Sequence, residues 1–125
     1  MSKMLLNACC IFEYLYRDAS NYKVWGTLLL EGVANETDHQ VLASKFESGE
    51  LFIAEQLGIP ALYSDLWEFS NGPTEDDHVW HTFHALRAVT PDDTSAEIFG
   101  SVADLVAKIK SVREWNLELS PHWDI

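Results

Sequence analysis

Residues 8–17 (Ala-Cys-Cys-Ile-Phe-Glu-Tyr-Leu-Tyr-Arg) constrain this chain more than any other stretch. As a strand they place Cys10, Phe12, Tyr14 and Tyr16 on one face and Ile11, Glu13, Leu15 and Arg17 on the other. Residues 22–31 (Tyr-Lys-Val-Trp-Gly-Thr-Leu-Leu-Leu-Glu) are again rich in strand formers, and Asp18-Ala19-Ser20-Asn21 between them is made of turn formers. The pair predicts a β-hairpin whose aromatic face must be covered by another layer. Gly26 inside the second strand predicts a bulge or the close approach of another element.

The rest of the chain supplies that layer. Asn35 is a capping residue ahead of Val41, Leu42 and Phe46 at helical spacing, which predicts a short helix ending near Gly49. The apolar run Leu51-Phe52-Ile53-Ala54 fits either a strand or a helix. Pro60 can open a helical turn carrying Leu62, Leu66 and Phe69, closed by Asn71-Gly72-Pro73. Residues 78–89 read as a third strand, and Thr90–Thr94 as a turn. Ser101 caps the clearest helix, with a stripe of Val102, Leu105, Val106, Ile109 and Val112 and cations at its end. The expected architecture is α+β: an antiparallel sheet, made of the N-terminal hairpin and at least one later strand, packed on two or three helices as a two-layer sandwich. One domain over 1–125 is expected, with 117–125 as an extended C-terminal arm.

Five Trp, four Tyr and six Phe among 125 residues are enough to fill a core at this size. Cys9 and Cys10 are adjacent, so a disulfide between them would be badly strained; the absence of a disulfide framework points to a reducing compartment, the cytoplasm. The N-terminal apolar run meets Glu13 and has no cleavage-type pair, so it reads as a strand and not as a signal peptide. No run approaches the roughly 18 apolar residues of a membrane span.

The net charge of −12 is not spread evenly. Residues 31–100 hold 14 acids and only two bases, Lys45 and Arg87, while the remainder holds six of each. Such a field disfavours direct binding to nucleic acid or anionic membrane and favours a basic protein partner. The carboxylates expected to meet it are Glu47, Glu50, Asp65, Glu68, Glu75, Asp76, Asp77, Asp92 and Asp93. The competing reading is that the charge only keeps the chain soluble.

Three polar stretches are candidates for a ligand pocket: Arg17, Asp18, Asn21 and Lys23 at the hairpin, Glu55 and Gln56 in an apolar setting, and His78 and His81 after an acidic run. A carboxylate placed against an imidazole in a cleft would make an acid–base pair. The ordinary alternative for each is a structural hydrogen bond or ion pair. Glu75-Asp76-Asp77-His78 with His81 and His84 carries metal-binding residue types, but no zinc spacing appears and a strand would turn His81 away from the other two; no metal and no cofactor are expected. No phosphate-binding glycine loop, nucleophile elbow or Cys-x-x-Cys is present.

The phrases Tyr16-Arg-Asp-Ala-Ser-Asn-Tyr-Lys23, Phe52-Ile-Ala-Glu-Gln56 and Pro73-Thr-Glu-Asp-Asp-His-Val-Trp-His81 together resemble a family of small bacterial proteins of uncharacterised function, over roughly residues 12–84. The resemblance implies a bacterial or phage source and carries over no catalytic residue. Two functions are therefore expected from this sequence. The first is a small acidic protein-binding protein of the inhibitor, immunity or anti-defence type. The alternative is a small enzyme or ligand-binding protein whose pocket joins Arg17, Glu55 and His78.

Overall fold

Strand β1 (Cys9–Arg17) and strand β2 (Lys23–Glu31) pair antiparallel along their whole length, from Cys9 opposite Glu31 to Arg17 opposite Lys23. The computed structural model describes residues 9–17, 22–63, 78–93 and 97–119. The hairpin turn itself (18–21) and the expected helix beyond Tyr63 lie outside the described residues.

After β2 the chain enters helix α1 (Glu36–Lys45) through a capping box. The Asp38 N–H donates to Asn35 Oδ1 at 2.8 Å, and the Asn35 N–H donates to Asp38 Oδ2 at 3.0 Å. Two of the donors that a helix start leaves unpaired are thereby used. A tight turn follows with Ser48 and Gly49 both at positive φ (55° and 82°). It leads into the short strand β3 (Leu51–Phe52), then the single-turn helix α2 (Ala54–Leu57), which Gly58 ends in the left-handed conformation. Strand β4 (His81–Ala88) pairs antiparallel with both β1 and β3. After a 3₁₀ turn at Pro91–Asp93, strand β5 (Ile98–Ser101) leads directly into helix α3 (Val102–Lys110), whose N-terminus is capped by Ser101 Oγ accepting the Asp104 N–H. A further 3₁₀ turn at Leu117–Leu119 occupies the start of the segment expected to be an extended arm.

The five strands are ordered β3-β4-β1-β2-β5. The expected α+β architecture of a sheet packed on helices is present, with one correction: the sheet is mixed, not antiparallel, because β5 runs parallel to β2, Leu29 opposite Ile98 and Glu31 opposite Ser101. The cause is geometric. β4 occupies the other edge of β1, so β5 extends the hairpin beyond β2, and the connector crosses the sheet to reach it and returns it parallel to β2. β5 has four residues, with Ile98 and Phe99 exposed, and so carries little of the alternation by which a strand is read from sequence.

The helices cover the sheet face that carries Cys10, Phe12, Tyr14 and Tyr16. Those side chains pack with Leu28 and Leu30 from β2, Leu42 and Phe46 from around α1, Phe52, Leu57, and the Val102, Leu105, Val106 and Ile109 stripe of α3. Phe12 sits in a ring cluster with Tyr14, Phe52 and Phe83 at centroid distances of 5.1–5.8 Å. Each such buried side chain contributes on the order of 2–3 kcal/mol of hydrophobic stabilisation, so this one cluster is a large share of the fold. Gly26 lies opposite Tyr14, and a Cβ there would stand 3.0 Å from the Tyr14 ring and 2.9 Å from Leu62. The close approach expected at Gly26 is thus the Tyr14 ring.

The other sheet face is only partly closed. Cys9, Ile11 and Leu29 form a small cluster with Val89, which enters the connector between β4 and β5. Higher on the same face Trp25 remains 52% exposed. The register of β1 against β4 shifts between Glu13 and Tyr14, which are paired with Ala85 and Phe83. His84 is the extra residue, and a bulge of this kind re-aims the side chains that follow. As a result both Phe83 and Leu86 reach the helix-covered core.

Candidate functional site

Histidine 81 starts β4 and is fully buried, ringed by Tyr14, Tyr16, Phe52 and Tyr63 at centroid distances of 5.3–6.1 Å. Its Nε2 accepts the Leu62 N–H at 2.9 Å, so the neutral ring carries its proton on Nδ1. Tyr63 Oη donates to the Glu55 carboxylate, and Tyr14 Oη to the Pro60 carbonyl at 2.7 Å. His78 is fixed differently. Its Nδ1 accepts the Trp80 N–H at 3.0 Å, which puts the proton on Nε2, 2.6 Å from the Arg17 carbonyl. Tyr16 Oη accepts the His78 N–H at 3.1 Å and lies 3.3 Å from the His78 carbonyl. Burial pushes the Tyr14 phenol up to about 12, well away from acid–base work near neutrality.

The three stretches picked from sequence are thus partly drawn together. Glu55 reaches the cluster through Tyr63, His81 is its centre, and His78 ties it to the end of β1. Arg17 contributes its carbonyl, while the strand pleat sends its exposed side chain to the opposite face from Tyr16. Gln56 faces elsewhere: its Nε2 donates to the Glu114 carbonyl at 3.0 Å and its Oε1 accepts the Asn116 N–H at 2.8 Å, pinning the chain after α3. Lys23 is exposed at the start of β2. Asp18 and Asn21 lie outside the described residues. The arrangement is a largely buried polar network that ties the segment after α2 and the chain entering β4 to the end of β1.

A second constellation, on the open sheet face, is organised by Arg87. Its guanidinium holds Asp93 with both nitrogens, at 2.8 and 3.2 Å, and reaches Glu13 at 3.5 Å. Thr90 adds its N–H and hydroxyl to Asp93 Oδ2 at 2.8 and 3.0 Å. The Arg87 guanidinium, helped by Thr90, holds the Asp93 carboxyl down at about 2, against the opposing effect of burial. Glu13 also lies 3.7 Å from His84 Nε2, whose ring meets the exposed Trp25 edge-on at 5.1 Å. Asp93, one of the carboxylates assigned to a partner from sequence, is here buried and committed to closing the β4–β5 connector over the sheet. Neither Arg87 nor Glu13 was singled out from sequence. The available signal was the spacing of Arg87, Thr90 and Asp93 around a turn.

The remaining expected partner carboxylates divide into two groups. Asp65, Glu68, Glu75, Asp76 and Asp77 lie outside the described residues. Glu47, Glu50 and Asp92 are exposed, as are Glu31, Glu36 and Glu97, and among the described residues none of these six is in an ion pair. Register also separates charge along the sheet. Arg17 and Lys23 face one another at the hairpin end, while Glu31 stands at the far end, where β1 begins and β2 finishes. Nine paired residues at about 3.3 Å each hold the two ends roughly 25–30 Å apart.

An open cleft of about 600 Å³ lies where α1 ends, bordered by Lys45, Glu47, Trp80, Arg113, Glu114 and Trp115. The two indoles meet edge-on at 6.4 Å. Of these six residues only Glu47 is a candidate on sequence grounds; Trp80 and Trp115 come together through the fold alone. Among the described residues, no group of three His, Cys, Asp or Glu side chains is placed to hold a metal ion, and no helix is long and apolar enough to cross a membrane. The chain matches no family model, no curated protein and no solved structure.

Proposed function

We propose that this is a protein-binding protein that engages a basic protein partner through its carboxylate surface, in the manner of an inhibitor or immunity protein. The observation that carries this reading is the set of exposed carboxylates Glu31, Glu36, Glu47, Glu50, Asp92 and Glu97, none of them neutralised by an ion pair among the described residues. Unpaired surface charge contributes nothing to folding and raises self-repulsion, yet it steers a cation-bearing partner and speeds the encounter. Fixed carboxylates can stand where nucleic-acid phosphates would otherwise lie on such a partner. For the same reason the protein does not bind nucleic acid directly. Two buried free thiols, Cys9 and Cys10, suit a reducing cytoplasm.

The test is capture of the partner from the native host, followed by calorimetric titration of the purified pair at 50 and 300 mM salt. Affinity should fall at least tenfold over that range, chiefly through slower association. Equal affinity at both salt concentrations would show that charge does not drive the complex.

A further inference from the structure

We infer that the cleft between Trp80 and Trp115 receives an arginine side chain of that basic partner; this rests on the reading above and deepens it by assigning the contact. Three features point to a guanidinium. The first is an aromatic wall held in place before any ligand arrives: Trp115 Nε1 donates to the Lys45 carbonyl at 3.1 Å, its ring lies 6.1 Å from Phe46, and Trp80 meets it edge-on. A planar cation stacks on an indole face, and a fixed indole loses little freedom in accepting it.

The second is the balance of charge that remains available. Lys45 lines the cleft and keeps its charge, its ammonium held to one wall by the Val112 carbonyl at 3.0 Å. Arg113 is exposed at the rim. Against these two cations stand Glu47 and Glu114, and the adjoining depression, which shares Trp115, adds Glu118, so carboxylates exceed cations by one. These carboxylates are exposed and in no ion pair among the described residues, so they remain available for the paired N–H···O bonds that a guanidinium makes with a carboxylate. The third is fit. About 600 Å³ falls within the usual range for a ligand pocket and admits one long side chain with its flanking backbone. The neighbouring Leu117, 42% exposed, offers an apolar contact for a residue beside the arginine.

The probe is the peptide acetyl-Leu-Arg-Leu-Arg-amide, titrated into the full chain at 50 mM salt while the indole N–H signals are followed by NMR. The Trp80 and Trp115 signals should move saturably and the Trp25 signal should not. The same peptide with citrulline in place of arginine keeps shape and loses charge, and should bind at least tenfold more weakly. The double variant E47Q/E114Q should bind at least fivefold more weakly with an unchanged amide spectrum, because among the described residues neither carboxylate takes part in a hydrogen bond of the fold. Equal binding of the citrulline peptide, or full binding by E47Q/E114Q, would overturn the assignment. Saturable shifts confined to residues away from Trp80 and Trp115 would overturn it too, while leaving the basic-partner reading intact; only a salt-independent partner complex removes that reading. Absence of any binding at millimolar peptide overturns the cleft assignment alone.

Discussion

Arg87 grips Asp93 through both guanidinium nitrogens, Nη1 to Oδ2 at 2.8 Å and Nη2 to Oδ1 at 3.2 Å, and so fastens the β4–β5 connector over the open sheet face. Only 8% of the Asp93 side chain is exposed, and Thr90 satisfies what Arg87 leaves. Removing one partner of such a pair strands the other in a poorly solvated place. Arg87→Leu should destabilise the protein by about 2–3 kcal/mol in urea denaturation, and the double variant Arg87→Leu/Asp93→Leu by less than the sum of the two single changes.

The same pair sets a pH dependence of definite sign. An unfolded aspartate titrates near 3.9, whereas Asp93 in the folded chain titrates at about 2. Its contribution is therefore complete above the unfolded value and is lost as pH falls through the folded one. Stability measured from pH 6 to pH 2 should decline more steeply for the parent chain than for Asp93→Asn. The difference should be on the order of 2 kcal/mol at pH 6 and well under about 1 kcal/mol at pH 2, where the folded carboxyl is half protonated. Parallel curves for the two proteins would show that Asp93 is not the group responsible.

His81 is predicted to matter for folding and not for chemistry. Its Nε2 is the acceptor for the Leu62 N–H at 2.9 Å in a fully buried setting. His81→Leu keeps the apolar bulk but leaves that donor without its acceptor, at a cost of about 1–3 kcal/mol. A loss below 0.5 kcal/mol in thermal and chemical unfolding would mean the bond contributes little.

Gly26 should tolerate no side chain of size. A Cβ there stands 3.0 Å from the fully buried Tyr14 ring, which has Phe12 and Phe52 on its other sides. Leu62 can rotate away, but the ring cannot. Gly26→Val should cost about 1–3 kcal/mol as overpacking, despite the better strand propensity of valine. Differential scanning calorimetry would register the loss as a lower Tm.

Cys9 and Cys10 should resist thiol reagents until the chain unfolds. Burial pushes both thiols up, so little thiolate forms near neutral pH, and both side chains are inaccessible. Labelling with a maleimide should be slow in buffer and rapid in 8 M urea. Fast labelling of one cysteine in buffer would reveal local opening at the start of β1.

Local rules carry the hairpin strands and the first and last helices, because each depends on neighbours in sequence. The alternation of Cys10, Phe12, Tyr14 and Tyr16 fixes which face is buried, Asn35 and Ser101 mark helix starts by the donors they satisfy, and the concentration of acids in residues 31–100 is a property of composition. What pattern could not supply is every relation between segments far apart in the chain. That β5 joins the sheet beyond β2 and runs parallel to it is settled between strands some 70 residues apart, which no single segment encodes. That Glu13 joins Arg87 and Asp93 depends on β1 lying beside β4, with Glu13 and Arg87 74 residues apart in the chain. The indoles of Trp80 and Trp115 meet because the chain entering β4 and the chain leaving α3 come together beside the end of α1. Secondary structure is selected by short-range sterics and periodicity, whereas sites are made by long-range closure, and only the folded chain decides which charges remain unpaired.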